Sequence, residues 1–419
     1  MKRWLKRLAV TSLIAATALS LTACGQKQSS GSGKKVTIEY FNQKKEMSAT
    51  LKEIIKDFEK KNPNIHVKET DVPDAGIVLK TRMLSGDVPD VINIFPQNLD
   101  FQTWAKAGYF VDMTHKAYIQ NIKNHYASKF AVNGKIYNAP LSANVYGFYY
   151  NETAFKHLGL KVPQDWSQLE NIVKKIQSKG KTPFAIAGSE PWTLTGYHEL
   201  ALASVAGGFN QGNDLVRYSA PNGIKLSNKY IQMDLNRLDI LRGTAQKNWQ
   251  GASYNDQITT FTSGKALMMP QGSWAAPLIN AQKPKFKVRT FAFPGPKKGD
   301  DMTIGSGDLA LSISSKSKHK EAAEKFVAYM CTPAAMQKYY DTDGSPCTIK
   351  GVKQAGANSE LGGITKYAFT KKHIVFLAQK WTTENDFNTA TSNYLMTGNK
   401  QEWINAMNTA FNPMKATNK

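Results

Sequence analysis

Apolar positions along the chain recur with two periods, and the switches between them mark out its elements. Residues 8–21 form an apolar run behind a basic start of Lys2, Arg3, Lys6 and Arg7. The run is shorter than the roughly 20 apolar residues a membrane span needs and ends in small residues, so it predicts an export signal. Residues 25–35 have nothing to bury and predict a flexible tether. Residues 36–41 alternate as a strand, after which Met47, Leu51, Ile54, Ile55 and Phe58 share a helical face up to the stop at Asn62-Pro63-Asn64. Extended structure resumes at 65–67, a helix is predicted over 77–84, and residues 91–95 form the almost continuous apolar run of a strand covered on both faces.

A second series begins near Tyr146. Residues 147–150 predict a strand, 166–178 a helix with Leu169, Ile172, Val173 and Ile176 on one face, and 184–187 a further short strand. Residues 309–313 are extended again, and Ala322, Ala323, Phe326, Val327 and Met330 then share a helical face. No repeat of solenoid period is visible. Strands alternating with helices predict an α/β fold of mostly parallel sheets with right-handed crossovers. With 419 residues, two cores are expected. No second apolar run reaches membrane length, so the body is expected to be water-soluble.

Charge changes the picture little. The formal net charge is +22, of which the four leader cations account for 4, leaving +18 on the mature part. The lysines are spread along the chain and mostly alternate with Asp or Glu, with no dense run beyond Lys34-Lys35 and Lys371-Lys372. This predicts a diffuse positive surface with weak attraction to an anionic envelope, and no nucleic-acid partner. Apart from Cys24 there are Cys331 and Cys347, separated by 15 residues; export permits a disulfide between them, and spacing alone does not decide it.

Catalytic motifs are missing. Ser263-Gly264-Lys265-Ala266 lacks the upstream glycine and the hydroxyl of a phosphate-binding loop. His198-Glu199 has Leu202 where a zinc-protease helix needs a second histidine, and the seven histidines are scattered, so neither a metal nor a cofactor is expected. Gly305-Ser306-Gly307 fits neither a nucleophile elbow nor a dinucleotide loop. A paired-carboxylate glycosidase leaves no fixed spacing and stays open.

Leu21-Thr22-Ala23-Cys24 resembles a bacterial lipobox. The resemblance implies a signal peptide over 1–23 and a diacylglyceryl Cys24 as the lipid anchor. The mature protein would then be held at the extracellular face of the cell membrane of a Gram-positive cell. Five further stretches, in order over nearly the whole mature chain, resemble extracellular solute-binding proteins of ABC transporters, in their oligosaccharide branch. They are Gly86-Asp87-Val88-Pro89-Asp90-Val91; Tyr137-Asn138-Ala139-Pro140 leading to Tyr149-Tyr150-Asn151; Gly159-Leu160 with Val162-Pro163-Gln164-Asp165-Trp166; residues 261–268 with Gly272-Ser273-Trp274; and residues 317–330. The match is similar in particular to binding proteins for raffinose-type and α-1,6-glucosidic oligosaccharides.

The resemblance implies a two-lobed periplasmic-binding-protein-like fold (type II) with the ligand in the cleft between lobes. Crossings are expected near 140–144, 293–307 and 340–346, giving a first lobe of 36–141 plus 306–342 and a second of 142–305 plus 343–419. Sugars have apolar C–H faces and hydroxyl edges, so a pocket needs aromatic platforms beside amides and carboxylates. Candidates in strand-end loops are Phe41, Asn42 and Gln43 after the first strand, Asn93, Phe95 and Asn98 at the third, and Asn144 and Tyr146 at a crossing. To these are added Trp192 in a loop over 188–196, Trp249 in a polar stretch, Trp274, which the family pattern places against sugar, Asp308 at a hinge, and Asn385 and Asp386 after Trp381. Tyr146, Tyr149 and Tyr150 alternate in facing, so only one side can meet the cleft. Trp104 and Trp166 fall in helical patterns and are expected in the core.

The expected function is a monomeric, lipid-anchored receptor that delivers an oligosaccharide to the transmembrane subunits of an ABC permease, without catalysis. The alternatives are another solute such as maltodextrin or glycerol 3-phosphate, an anchored glycoside hydrolase using Asp308 and Asp386, or an adhesin that uses the positive surface.

Overall fold

Eleven strands appear among the described residues: β1 (Val36–Asn42), β2 (Ile65–Asp71), β3 (Val91–Asn93), β4 (Ala139–Pro140), β5 (Tyr146–Asn151), β6 (Thr182–Phe184), β7 (Ala266–Gly272), β8 (Val288–Phe291), β9 (Thr303–Ile304), β10 (Ala310–Ile313) and β11 (His373–Ile374). They form two sheets, ordered β2-β1-β3-β10-β4 and β11-β9-β5-β7-β6, with β8 also paired to β5. The structure, a computed structural model, describes residues 35–73 and 75–415. The expected signal peptide, Cys24 and the tether up to Lys34 lie outside the described residues.

The sheets are mixed, where mostly parallel ones were expected. β1 runs parallel to β2 and β3, β6 to β7, and β9 to β11. β10 is antiparallel to β3 and β4, and β5 is antiparallel to β7, β8 and β9. The reversal follows from the chain path. β10 re-enters the first sheet from the second lobe, so it starts at the end where β3 stops.

Period-2 alternation sets the layers. In β1, Ile38 and Tyr40 join the core that holds Leu51, Ile54, Phe58 and Phe326, while Phe41 faces a second core with Ile92, Leu79, Met83 and Phe101. In β5, Phe148 and Tyr150 share one core and Tyr149 belongs to another. The helices Ser48–Lys61, Trp166–Ser178 and Lys320–Met330 present their predicted apolar faces to these sheets, and Trp104 and Trp166 are buried. The helix Trp192–Ala206 is buried continuously from Thr193 to Val205. A helix buried on every side has no periodic signature. That is why 188–196 reads as a loop in the sequence, whereas Trp192 is the first residue of a central helix.

The chain passes between the sheets at residues 141–145 and 305–309, and residues 344–348 lie against them. Backbone bonds stitch the three together: Leu141 N to Leu309 O (2.7 Å), Ala143 N to Pro346 O (2.8 Å), Asn144 N to Ser306 O (2.9 Å) and Thr348 N to Leu141 O (3.0 Å). Cys347 and Ile349 are buried in the first lobe's core, past the crossing expected at 340–346. Cys331 and Cys347 are both free, buried thiols. Burial raises both, Cys347 to about 11, and its Sγ donates to Leu141 O (3.5 Å).

Candidate functional site

A cleft of about 1060 Å³ opens where the strand ends of both sheets face each other beside the crossings. The first lobe supplies Gln43, Lys44 and Glu46 from the turn after β1, and Phe95, Gln97 and Asn98 from the loop after β3. Asn144, Tyr146 and Asp308 lie at the crossings. The second lobe supplies Trp192 and Thr195 at the start of their helix, Tyr254, Trp274 after β7, and Phe376, Gln379 and Glu384.

Each aromatic is fixed by something specific. Trp192, 42% exposed, donates from Nε1 to Glu190 (3.0 Å) and meets Tyr254 edge-on with ring centroids 5.0 Å apart. The other Glu190 oxygen accepts from Tyr254 N (2.7 Å). The buried Tyr146 ring packs 6.0 Å from Trp274, and its hydroxyl donates to Thr193 O (3.2 Å). Both rings depend on glycine: a Cβ on Gly196 would lie 2.5 Å from the Tyr146 ring, and one on Gly272 would lie 2.1 Å from the Trp274 ring. Three polar atoms of the cleft residues are buried without a hydrogen-bond partner among the described residues: Trp274 Nε1, Tyr254 Oη and Gln97 Oε1. Two donors and an acceptor beside aromatic faces match the two sides of a sugar.

Charge is concentrated at the base. Lys44 Nζ lies 2.8 Å from Asp308 Oδ2 and 2.6 Å from Glu46 Oε1. Burial by itself would lower this ammonium, yet the charges of Asp308 and Glu46 raise it well above the usual lysine value. Asp343, fully buried nearby, is pushed up to about 7, chiefly by desolvation, with Lys44 pulling it down and Asp308 pushing it up. The charged residues lining the cleft are Lys44 and Lys45 against Glu46, Glu190, Asp308 and Glu384, so the cleft carries −2 in a chain of +22. Behind it, the buried Glu199 accepts hydrogen bonds from Leu377 N and Ala378 N (3.4 Å) and so holds the turn that carries Ala378 and Gln379 into the cleft. Desolvation raises its carboxyl well above the usual range.

Of the residues proposed from the sequence, Gln43, Phe95, Asn98, Asn144, Tyr146, Trp192, Trp274 and Asp308 line the cleft. The others stand elsewhere. Phe41 is core, because strand alternation turns it away from the strand-end turn. Asn42 is buried and shapes that turn, its amide donating to Glu69 (2.8 Å) and its oxygen accepting from Lys44 N (2.7 Å). Asn93 Oδ1 accepts from Ala310 N (3.1 Å) and joins β3 to β10. Trp249 is 4% exposed and packs in the second lobe's core, as does Trp381, which donates to Asn213 (2.8 Å). Asp386 is exposed in the first turn of the helix Glu384–Thr397, where it accepts from the Thr383 hydroxyl; Asn385 is exposed beside it.

Residues missed from the sequence include Lys44, Glu46, Gln97, Glu190, Tyr254 and Glu384. Extending the strand-end rule a few residues beyond Gln43 and Phe95 reaches the first three. Glu190 lies in the loop before Trp192, within the 188–196 segment already singled out, whereas Tyr254 and Glu384 are first residues of helices that come to the cleft only through packing.

Residues 42–337 match the family described as bacterial extracellular solute-binding protein. The multiple sugar-binding protein of Streptococcus mutans serotype c is 58% identical over 417 residues, covering 99% of each chain. RafE in complex with raffinose aligns with a TM-score of 0.89 at 57% identity, over 91% of this chain and 100% of that one. The apo form of RafE from Streptococcus pneumoniae gives 0.82 at 56% identity, over 92% and 99%. With a two-lobed α/β architecture, a cleft at facing strand ends and a match over most of its length, the chain belongs to the bacterial extracellular solute-binding proteins.

Proposed function

We propose that this protein is the extracellular binding component of a carbohydrate ABC importer, and that it captures a neutral raffinose-type or α-1,6-glucosidic oligosaccharide in the cleft for delivery to the permease. The observation that carries this reading is the cleft wall itself: Trp192, Trp274 and Phe95 as platforms, with the unpartnered Trp274 Nε1, Tyr254 Oη and Gln97 Oε1 among them. The raffinose bound by RafE, and the multiple-sugar binding that gives the Streptococcus mutans relative its name, support the ligand class. Only a closed cleft contacts sugar with both lobes, so ligand shifts an open–closed equilibrium. The lobes we propose are 36–141 with 306–349 and 142–305 with 350–419, the third boundary moved from 342 to past Ile349 because that residue packs in the first core. Cys24 provides the lipid anchor in this reading, and the receptor works as a monomer.

The cleft's −2 charge disfavours glycerol 3-phosphate. The hydrolase alternative loses its pair of carboxylates, since Asp308 is held by Lys44 and Asp386 is outside the cleft wall. Calorimetric titration of the mature chain with raffinose, isomaltotriose, maltotriose and glycerol 3-phosphate, with product analysis afterwards, tests the proposal. Micromolar binding of an intact raffinose-type or α-1,6-linked trisaccharide is expected. Cleaved sugar, or heat from the phosphate ester alone with no sugar bound, overturns it.

A further inference from the structure

A second cavity, of about 830 Å³, shares no lining residue with the cleft. Strand β8 contributes Arg289 and Thr290, the following loop contributes Lys298 and Asp301, and Lys366 closes the rim. Two carboxylates line it, and both are already engaged by lysines that include some from outside the cavity. Glu152 lies 3.4 Å from Lys287 and 3.6 Å from Lys156. Asp301 lies 2.9 Å from Lys372 and accepts from the Tyr367 hydroxyl. Glu360, next to Arg289, has its carboxyl raised to about 7, chiefly by desolvation. Arg289, Lys298 and Lys366 are left without an ion-pair partner among the described residues; Lys366 Nζ stands 4.9 Å over the Tyr367 ring, and the Arg289 guanidinium donates to Val288 O (3.1 Å).

The two hollows thus carry opposite signs. The cleft is acidic and framed by aromatic rings, while the second cavity offers three cations without an ion-pair partner among the described residues, of which Arg289 also feels the charges of Glu152 and Glu360. A guanidinium forks onto two oxygens of one anion, and ammonium groups act as point charges around it. Three cations suit a ligand with more than one negative charge, which a phosphate monoester or a run of phosphodiesters supplies and a single carboxylate does not. We propose that the cavity walled by Arg289, Lys298 and Lys366 is a second binding site, independent of the cleft, for a phosphate-bearing anion, either a free phosphorylated solute or a unit of a phosphodiester polymer.

The test is titration of the mature chain with glycerol 3-phosphate and, separately, with soluble poly(glycerol phosphate), followed by calorimetry and ³¹P line broadening. The variants are Lys298→Glu/Lys366→Glu, Arg289→Gln, and a control pair of equal charge change on an exposed helix face, Lys174→Glu/Lys175→Glu. The cavity variants are expected to weaken binding about tenfold or more and the control pair about twofold, as a local site and a diffuse field respectively would. Binding of the monomer identifies a free solute and binding of the polymer alone identifies the polymer; both support the site. Raffinose titration of every variant reports folding and cleft function separately, so failure here is distinguishable from failure of the sugar reading. Equal losses in the cavity and control pairs, or no binding of either probe by the parent chain, overturn the proposal.

Discussion

Replacing Lys44 by methionine keeps the length of the side chain and removes the cation that pairs with both Asp308 and Glu46. The Lys44 side chain is 3% exposed, as is that of Asp308, and that of Glu46 is 18% exposed. The loss therefore differs between the partners. Glu46 can turn toward water, but Asp308 is held by the crossing, where its own N–H donates to Ser142 O (2.9 Å). Removing one member of a buried pair costs about 3–5 kcal/mol, because the remaining charge stays desolvated. The double variant Lys44→Met/Asp308→Asn removes both charges, and about 2 kcal/mol or more of that loss should return. Urea unfolding followed by tryptophan fluorescence measures this as a shift in midpoint at constant slope. A double variant whose loss equals the sum of the single losses to within about 0.5 kcal/mol would refute the coupling. Binding should follow stability only in part: Asp308 lines the cleft, so the double variant should recover its fold while still binding the trisaccharide more weakly than the parent.

Trp274→Ala should weaken trisaccharide binding by about 2 kcal/mol, roughly thirtyfold, with little change in unfolding midpoint, whereas Trp249→Ala should cost about 3–5 kcal/mol of stability; calorimetry beside urea unfolding separates them, and the reverse pattern would exchange their roles. Asp343 has a folded pKa raised to about 7, so its favourable contribution is complete below its unfolded value and is lost as pH rises through about 7. Asp343→Asn should therefore gain on the parent by about 2 kcal/mol between pH 5 and pH 8, and a pH-independent difference would remove the argument. Glu199→Gln preserves a carbonyl oxygen for Leu377 N and Ala378 N and should leave trisaccharide affinity within about threefold, while Glu199→Leu should lose about tenfold or more by releasing the turn that carries Gln379. Equal behaviour of the two variants in calorimetry would show that the turn does not need this acceptor.

By itself the sequence determined what depends on local periodicity and strand ends. The 3.6-residue pattern of Leu169, Ile172, Val173 and Ile176 marks the helix Trp166–Ser178, because a helix half in water shows its period, whereas β5 is buried on both faces and is legible from its run of aromatic residues. Strand ends pointed to Gln43 and Phe95, while Asn144, at an expected crossing, and Trp274, in Gly272-Ser273-Trp274, followed from the family resemblance. Tertiary structure decided the rest. The direction of β10 depends on a return from the other lobe, which no local pattern encodes. The helix Trp192–Ala206 is buried on every side and so carries no period. Trp192, Trp249 and Trp381 look alike as residues, yet one stands exposed at the cleft and two are core, since burial depends on packing by distant segments. The Lys44–Asp308 pair joins positions 264 residues apart, and only the fold brings a cation to that carboxylate and gives the cleft a charge opposite to that of the chain.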